Sequence, residues 1–238
     1  MSPEASPLRG LFVTGSDTGV GKTLVAAGLL RLARRAGRVP IPFKPVETGC
    51  DPEPLDARRL WRAAQPPVPA EDVCAYALPL PAAPALAAAA SGVQIDLPDL
   101  AARAAALARH GDYLLVEGAG GLLVPYAGAG TAADLAGMLR LPLLVVGRMA
   151  LGTINHVALT LSETTRRGLP VAGYLLNRTE RQAGPHEAGN AEMLAALTGR
   201  RPLGVLPHLS PADREDDDRV ADAVAAAIGD RGLSLLLG

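Results

Sequence analysis

The sequence predicts an α/β fold with a mostly parallel central sheet of about six or seven strands and helices on both faces. Strand-like apolar segments alternate with helix-like segments along most of the chain, a pattern typical of parallel sheets with helical crossovers. About half of the 238 residues are hydrophobic (49%), which supplies a core large enough for this fold. We predict one domain over residues 1–238, because no repeat or domain-sized linker interrupts the pattern.

The elements can be assigned in order along the chain. A strand near 9–14 leads through a glycine-rich turn into a helix from Thr23 to about Ala36, which Gly37 ends. A short strand follows over 39–46. The remaining predictions are a helix over 55–64, irregular proline-rich chain over 65–84, a helix over 96–111, a strand over 112–121, a helix over 131–140, a strand over 141–147, a helix over 153–168, a strand over 169–177, a helix near 187–197, a strand over 201–207 and a last helix near 217–228.

Charge and composition exclude several partners. The net charge of −1 gives no field that would favour nucleic acid or an anionic membrane, and no apolar run reaches the ~20 residues that a membrane span needs. The first ten residues lack the apolar region of a signal peptide. Cys50 and Cys74 have neither metal-site nor redox spacing. We therefore expect a cytoplasmic protein without nucleic-acid or membrane partners.

Residues 15–23, GSDTGVGKT, lie between an apolar strand and a helix start. Such a loop offers nucleotide phosphates a nest of backbone N–H groups and a helix N-terminus. Gly19 and Gly21 permit the turn, Lys22 would reach the outer phosphates, and the Thr23 hydroxyl would bind Mg²⁺. A serine replaces the first glycine of the usual spacing, so the prediction of a nucleotide site rests on the strand–loop–helix context.

A magnesium site needs further oxygen ligands. The run YLLVEG is a buried strand that ends in Glu117, at the strand end where open α/β sheets bind ligands. The glycines of GAGG, residues 118–121, leave a ligand unobstructed. Asp56 is a second candidate, although an acid in the first turn of a helix also favours the helix dipole without binding a metal.

The sequence favours ATP over GTP, because LLNRTE has Asn177 but lacks the aspartate of a guanine-reading motif. Asn177 could contact the amide-like edge of a base or simply form a turn.

Two lysines stand among 23 basic residues, at Lys22 and Lys44. Since the chain otherwise uses arginine, a tight phosphate pocket could demand the compact point charge of lysine at these positions, whereas arginine is a wide planar fork. The alternative is that two lysines were retained by chance. Lys44, in FKPVETG, is predicted to lie at the end of the strand after the first helix, near the phosphate loop. There it could hold a γ-phosphate or an anionic intermediate, and Thr48 could donate to a substrate oxygen. The alternative is a surface lysine in a proline turn.

Six segments together resemble the dethiobiotin synthetase family: VTGSDTGVGKT, FKPVETGC, LDARRL, YLLVEGAGGLLVP, LGTINH and LLNR. They occur in the family's order and spacing between residues 10 and about 208. The resemblance implies a P-loop NTPase-like, three-layer α/β/α fold. It also implies a homodimer that uses ATP and Mg²⁺ to convert 7,8-diaminononanoate and CO₂ to dethiobiotin.

The resemblance also assigns residues to roles. Thr18, Lys22 and Lys44 fall on catalytic positions. Thr23, Asp56 and Glu117 fall on magnesium and ATP positions. The remaining ATP contacts are implied at Gly19, Val20, Gly21, Gly118, Ala119, Gly120, Asn177, Arg178, Leu206, Pro207 and His208. Thr48, with Gly152, Thr153 and Asn155 of the partner subunit's helix start, would bind the substrate.

Two other classes use a related loop and sheet. A dimeric positioning ATPase usually carries a second lysine within the loop, where this chain has Asp17. An ATP-dependent amide ligase usually adds a glutaminase domain, for which 238 residues leave no room. Turnover of ATP with and without a diamine would separate these classes from a synthetase.

Overall fold

The computed structural model describes residues 8–182, 184 and 187–238, and their fold is built around one seven-stranded sheet. Its strand order is β3-β2-β4-β1-β7-β8-β9, and every neighbouring pair is parallel. The strands are β1 (Gly10–Gly15), β2 (Pro40–Thr48), β3 (Cys74–Leu78), β4 (Tyr113–Gly121), β7 (Leu143–Arg148), β8 (Val171–Asn177) and β9 (Gly204–Leu206), with β5 (Pro125–Ala127) and β6 (Gly130–Thr131) forming a small hairpin. This arrangement confirms the predicted fold class.

Helices cover both faces of the sheet, because alternate side chains of the strands point into two separate cores. In β1, Leu11 and Val13 belong to one core and Phe12 belongs to the other. The helices are α1 (Lys22–Arg35), α2 (Leu55–Ala64), α3 (Pro84–Ala90), α4 (Leu97–Ala108), α5 (Ala132–Leu139), α6 (Thr153–Arg166), α7 (Glu187–Thr198), α8 (Pro211–Glu215) and α9 (Asp217–Leu237). Within the described residues, no helix combines the length and apolarity that a bilayer crossing requires.

The structure corrects two boundaries that the sequence predicted. The proline-rich region 65–84 is not wholly irregular, since it contains a 3₁₀ turn and the edge strand β3. The last helix continues to Leu237, past a break at Gly229, where φ is 63°. The N-terminal part of α9 is fastened to α1 by ion pairs from Arg31 and Arg35 to Asp218.

The feature of the sheet that matters most for the site is a change of partner along β2. Residues 40–43 pair with β4, and the ladder to β3 begins at Lys44. Lys44 therefore lies inside β2, which runs on to Thr48, and not at a strand end as predicted. Strand β4 meanwhile continues to pair with β1 as far as Glu117 and beyond. We call the point where β2 and β4 stop pairing the fork, and Lys44 and Glu117 lie opposite each other there.

Candidate functional site

The loop between β1 and α1 has the backbone conformation that phosphate binding requires. Gly19 and Gly21 adopt positive φ angles of 70° and 95°, which side chains other than glycine rarely tolerate. Helix α1 begins directly after Gly21, and this N-cap residue has no side chain that could cap the helix. Its first N–H groups and the positive end of its dipole therefore face an anion site.

Lys22 is buried beneath this loop, at 7% exposure, and its Nζ donates to the backbone oxygen of Asp17 at 3.1 Å. Burial lowers the pKa of Lys22 to about 8, although attraction to Glu117 opposes the shift. The loop thus holds a poorly solvated ammonium group for which an incoming anion would be a favourable partner.

Lys44 and Glu117 form a buried ion pair at the fork between β2 and β4. Lys44 Nζ lies 2.5 Å from Glu117 Oε1, and the two side chains are 4% and 0% exposed. The same Oε1 accepts a hydrogen bond from Thr23 Oγ1 at 2.8 Å, so Glu117 joins β4 to both β2 and α1. Burial opposes the charge of Lys44, but Glu117 and Asp56 more than offset this and raise the pKa of Lys44 above its ordinary value.

Asp56 enters the site from the start of α2. Its Oδ2 lies 3.2 Å from Lys44 Nζ, and its side chain is 45% exposed. Its backbone N–H donates to Glu47 Oε1, and the next N–H, of Ala57, donates to Glu47 Oε2, both at 2.9 Å. Burial raises the pKa of Glu47, while these two backbone hydrogen bonds oppose the shift.

These groups surround a single cleft of about 310 Å³. Eleven predicted site residues line it, together with Val46 and Glu47, which the sequence did not indicate. The eleven are Thr18, Gly19, Gly21, Lys22, Thr23, Lys44, Thr48, Asp56, Glu117, Ala119 and Gly120.

The turn after Glu117 requires glycine because its backbone packs closely against neighbouring side chains, and not only to leave room for a ligand. A Cβ on Gly118 would lie 3.1 Å from the ring of Phe12, and Gly120 has a φ of 65°. The buried hydroxyl of Tyr126 accepts the N–H of Ala119 at 2.6 Å. Sequence reasoning missed Tyr126, because it lies outside the motif in the short strand β5.

Asn177, at the end of β8, makes a hydrogen bond to the phosphate loop. Its Nδ2 donates to the Val20 oxygen at 2.9 Å, and a Cβ on Gly21 would lie 2.1 Å from the same nitrogen. Its buried Oδ1 has no hydrogen-bond partner among the described residues. Arg178 N donates to Leu206 O at 3.0 Å, which brings the turn that continues through Pro207 and His208 beside the end of β8. The Arg178 side chain pairs with Glu187 at 2.8 Å.

The start of α6 lies apart from the 310 Å³ cleft. Its N-cap residue is Gly152, which takes a φ of 91° and has no side chain that could cap the helix. Thr153 lines a small depression with the phosphate-loop residues Ser16 and Asp17, and its buried Oγ1 has no partner among the described residues. Asn155 instead lines a separate groove of about 690 Å³ between α6 and α7.

Comparison with known proteins identifies the family. A family model described as an AAA domain matches residues 9–216. The ATP-dependent dethiobiotin synthetase BioD of Anaeromyxobacter dehalogenans strain 2CP-C is 50% identical over 201 residues, covering 84% of this chain and 90% of its own. BioD of Bacillus cereus strain B4264 is 37% identical over 203 residues, covering 84% of each chain. The chain belongs to the dethiobiotin synthetase family. The resemblance drawn from six motifs is thereby confirmed, and the family is one of ATP-dependent enzymes.

Solved structures extend the likeness in fold beyond this synthetase family. The MinC:MinD cell division protein complex of Aquifex aeolicus aligns with a TM-score of 0.57 at 14% identity, over 91% of this chain and 92% of that chain. A ParA family ATPase of Chlorobium tepidum TLS aligns with a TM-score of 0.54 at 13% identity, over 98% and 97%. At such identities the likeness concerns the fold and not the activity.

The buried ion pair generates a prediction about stability. Lys44→Met should lower the free energy of unfolding by about 3–5 kcal/mol, because it leaves the Glu117 carboxylate buried without its cation. The double variant Lys44→Met/Glu117→Gln should recover most of that loss, since both charges are then gone. Urea unfolding of the wild type and of the single and double variants measures both effects. A double variant no more stable than Lys44→Met would show that the pair does not determine the loss.

Proposed function

We propose that this protein performs the ATP- and Mg²⁺-dependent ring closure that converts 7,8-diaminononanoate and CO₂ to dethiobiotin, with release of ADP and phosphate. The observation that carries the proposal is the buried Lys44 beside the phosphate loop, paired with Glu117 and Asp56. A nucleotide-binding loop alone serves many activities, whereas a second buried cation at the same cleft suits an additional anionic reactant. The family membership reported above supports the same conclusion.

ATP would bind with its phosphates on the loop from Thr18 to Thr23 and its base near the end of β8. The buried Oδ1 of Asn177, which has no partner in the described part of the chain, supports a base contact, because it is an acceptor suited to an exocyclic amino group. The backbone of Arg178 and the turn from Leu206 to His208 would complete the adenine site. Gly118, Ala119 and Gly120 would lie beside the phosphates, although the Ala119 N–H donates to Tyr126 and would not contact them.

The oxygen-rich side chains of the cleft fit a magnesium ion bound together with ATP. Thr23, Asp56 and Glu117 supply hydroxyl and carboxylate oxygens, which Mg²⁺ prefers, and Glu117 Oε2 is buried without a partner among the described residues. No group of three His, Cys, Asp or Glu side chains suited to a metal is found in the described part of the chain, so nucleotide phosphates and water would complete the shell. When bound, the ion would neutralise charge on the phosphoryl oxygens.

The chemistry requires positioning more than side-chain reactivity. One amine of the substrate takes up CO₂ and loses a proton to give a carbamate. The carbamate oxygen attacks the γ-phosphorus of ATP and expels ADP, and the second amine then attacks the carbamoyl carbon and expels phosphate. Lys22 and Lys44 would hold the crowded phosphoryl and carbamate oxygens, with Thr18 at the rim of the loop and Thr48 donating to the substrate. This role requires Lys44 to exchange part of its contact with Glu117 for a ligand oxygen.

The substrate carboxylate would be bound by a second copy of the chain in a homodimer. Within one chain Asn155 lines the α6–α7 groove and not the cleft of Lys44. The uncapped start of α6 at Gly152 and Thr153 suits a carboxylate. Leu151 and Leu159, near this helix start, are 85% and 62% exposed, which is consistent with an apolar surface that a partner covers.

The function is tested by ATP turnover. ADP formation should require Mg²⁺ and diaminononanoate together, should increase with bicarbonate, and should yield dethiobiotin, since the phosphoryl acceptor is the substrate carbamate. Coupled ADP detection and mass spectrometry of the product measure this. ADP release at the same rate without the diamine would refute the synthetase and favour a positioning ATPase, while a product amide formed from an added amine donor would favour an amide ligase.

Replacing the buried lysine by arginine should damage catalysis more than folding. Lys44→Arg keeps a positive charge for Glu117, but its broader planar group should displace a reactant by about 1 Å, which costs on the order of 10²-fold in rate. The expected loss in kcat/KM for the diamine corresponds to about 2–3 kcal/mol of transition-state stabilisation. Steady-state kinetics and thermal melting measure the two effects. Retention of more than about half of the wild-type activity would contradict the proposed role of Lys44.

The dimer proposal predicts a selective effect of Asn155. Asn155→Ala should raise the KM for diaminononanoate by several-fold and leave the KM for ATP nearly unchanged, because Asn155 would contact only the substrate tail. Thr160→Ala, further along α6, is a matched control, since Thr160 Oγ1 donates to the His156 oxygen within the helix. Analytical ultracentrifugation should show a dimer. A fully active monomer, or equal changes in both KM values, would refute this arrangement.

A further inference from the structure

Glu47 lies in β2, three residues after Lys44, and its side chain is almost fully buried at 8% exposure. Its two carboxylate oxygens accept the N–H groups of Asp56 and Ala57, each at 2.9 Å. These are the second and third residues of α2. The Glu47 side chain, from strand β2, thus accepts two of the N–H groups at the start of helix α2.

Helix α2 needs this outside partner because it lacks a cap of its own. Its N-cap residue is Pro54, and no side chain of the N-cap position accepts a hydrogen bond from the helix. The first N–H groups of a helix are otherwise unsatisfied, and the helix dipole favours a negative charge near them. The Glu47 carboxylate meets both requirements, so it fixes where α2 begins relative to β2.

Asp56 is consequently held at two points by the same strand. Glu47 binds its backbone N–H, and Lys44 Nζ lies 3.2 Å from its Oδ2. The Asp56 side chain is 45% exposed, so packing alone would leave it free to take several rotamers. Its direction into the cleft therefore depends on where the start of α2 lies and on Lys44.

We propose that Glu47 is a positioning residue that holds Asp56 in place for the magnesium–nucleotide complex. The proposal rests on the function proposed above, in which Asp56 is a magnesium ligand. Glu47 acts through Asp56, since its two oxygens accept the backbone N–H groups of Asp56 and of the next residue in α2. Partners that orient a metal ligand typically change metal affinity or activity by 10–100-fold when they are removed.

The test is a binding cycle that needs no turnover. The affinity of a non-hydrolysable ATP analogue is measured by calorimetry with Mg²⁺ and with EDTA, and the ratio of the two gives the part of binding that depends on the metal. Glu47→Ala should reduce this ratio about tenfold and leave the affinity in EDTA within about twofold. Glu47→Gln should reduce it less, because the amide keeps one acceptor oxygen for the start of α2.

Glu53→Ala is the matched control. Glu53 lies just before α2 and pairs with Arg58 at 2.8 Å, but its side chain is 46% exposed, and the N–H groups at the start of α2 donate to Glu47 instead. This variant removes the same charge from the same region and should leave the ratio unchanged. Thermal melting shows whether each variant is folded. If Glu47→Ala does not fold, the test rests on Glu47→Gln.

The outcomes separate this inference from the proposed function. If the wild type shows metal-dependent binding and Glu47→Ala has the ratio of Glu53→Ala, Glu47 does not position Asp56. If Glu47→Ala weakens binding equally with Mg²⁺ and with EDTA, Glu47 only stabilises α2, and the inference is likewise overturned. If the wild type itself shows no metal-dependent binding, the proposed magnesium role fails first and this inference falls with it.

Discussion

The buried pair of Lys44 and Glu117 is the interaction on which the rest of the site depends. A carboxylate at 0% exposure is tolerated only with a close cation, and the change of partner along β2 supplies that cation at 2.5 Å. Glu117 also accepts from Thr23 at the start of α1. One ion pair therefore fixes the relative positions of β2, β4 and the phosphate loop, which form three sides of the cleft.

The fork in the sheet explains why so many functional side chains come from one strand. Up to residue 43, β2 is a buried strand that pairs with β4 and contributes Ile41 and Phe43 to an apolar core. From Lys44 onward it pairs with the edge strand β3, so its side facing β4 is open. Lys44, Glu47 and Thr48 all follow this point and line the cleft. This local opening of the sheet lies at the carboxyl end of β2, the end at which open α/β sheets bind ligands.

Sequence patterns predicted the sheet, the phosphate loop and two acids of the cleft, Asp56 and Glu117, because each depends on residues close together in the chain. They missed β3, since CAYAL is a short, half-exposed edge strand after a proline-rich stretch. They misplaced Lys44 at a strand end because Pro45 follows it, although proline is compatible with a strand that is changing partners. The role of Glu47 could not be predicted either, since it depends on how α2 folds back across the loop that separates them.

The structure gives a physical reason for the two lysines of the chain. Both lysines of the chain are buried, at 7% and 3% exposure, and both line the cleft. Every other basic side chain apart from histidine is an arginine. At the surface the two residues are nearly interchangeable as charges. In the cleft, Lys44 Nζ must reach Glu117 and Asp56 within 3.2 Å from inside a strand, and a planar guanidinium needs more room and a matched partner. Proteins with 13–14% identity share this fold, so the fold alone does not determine which side chains stand at the fork.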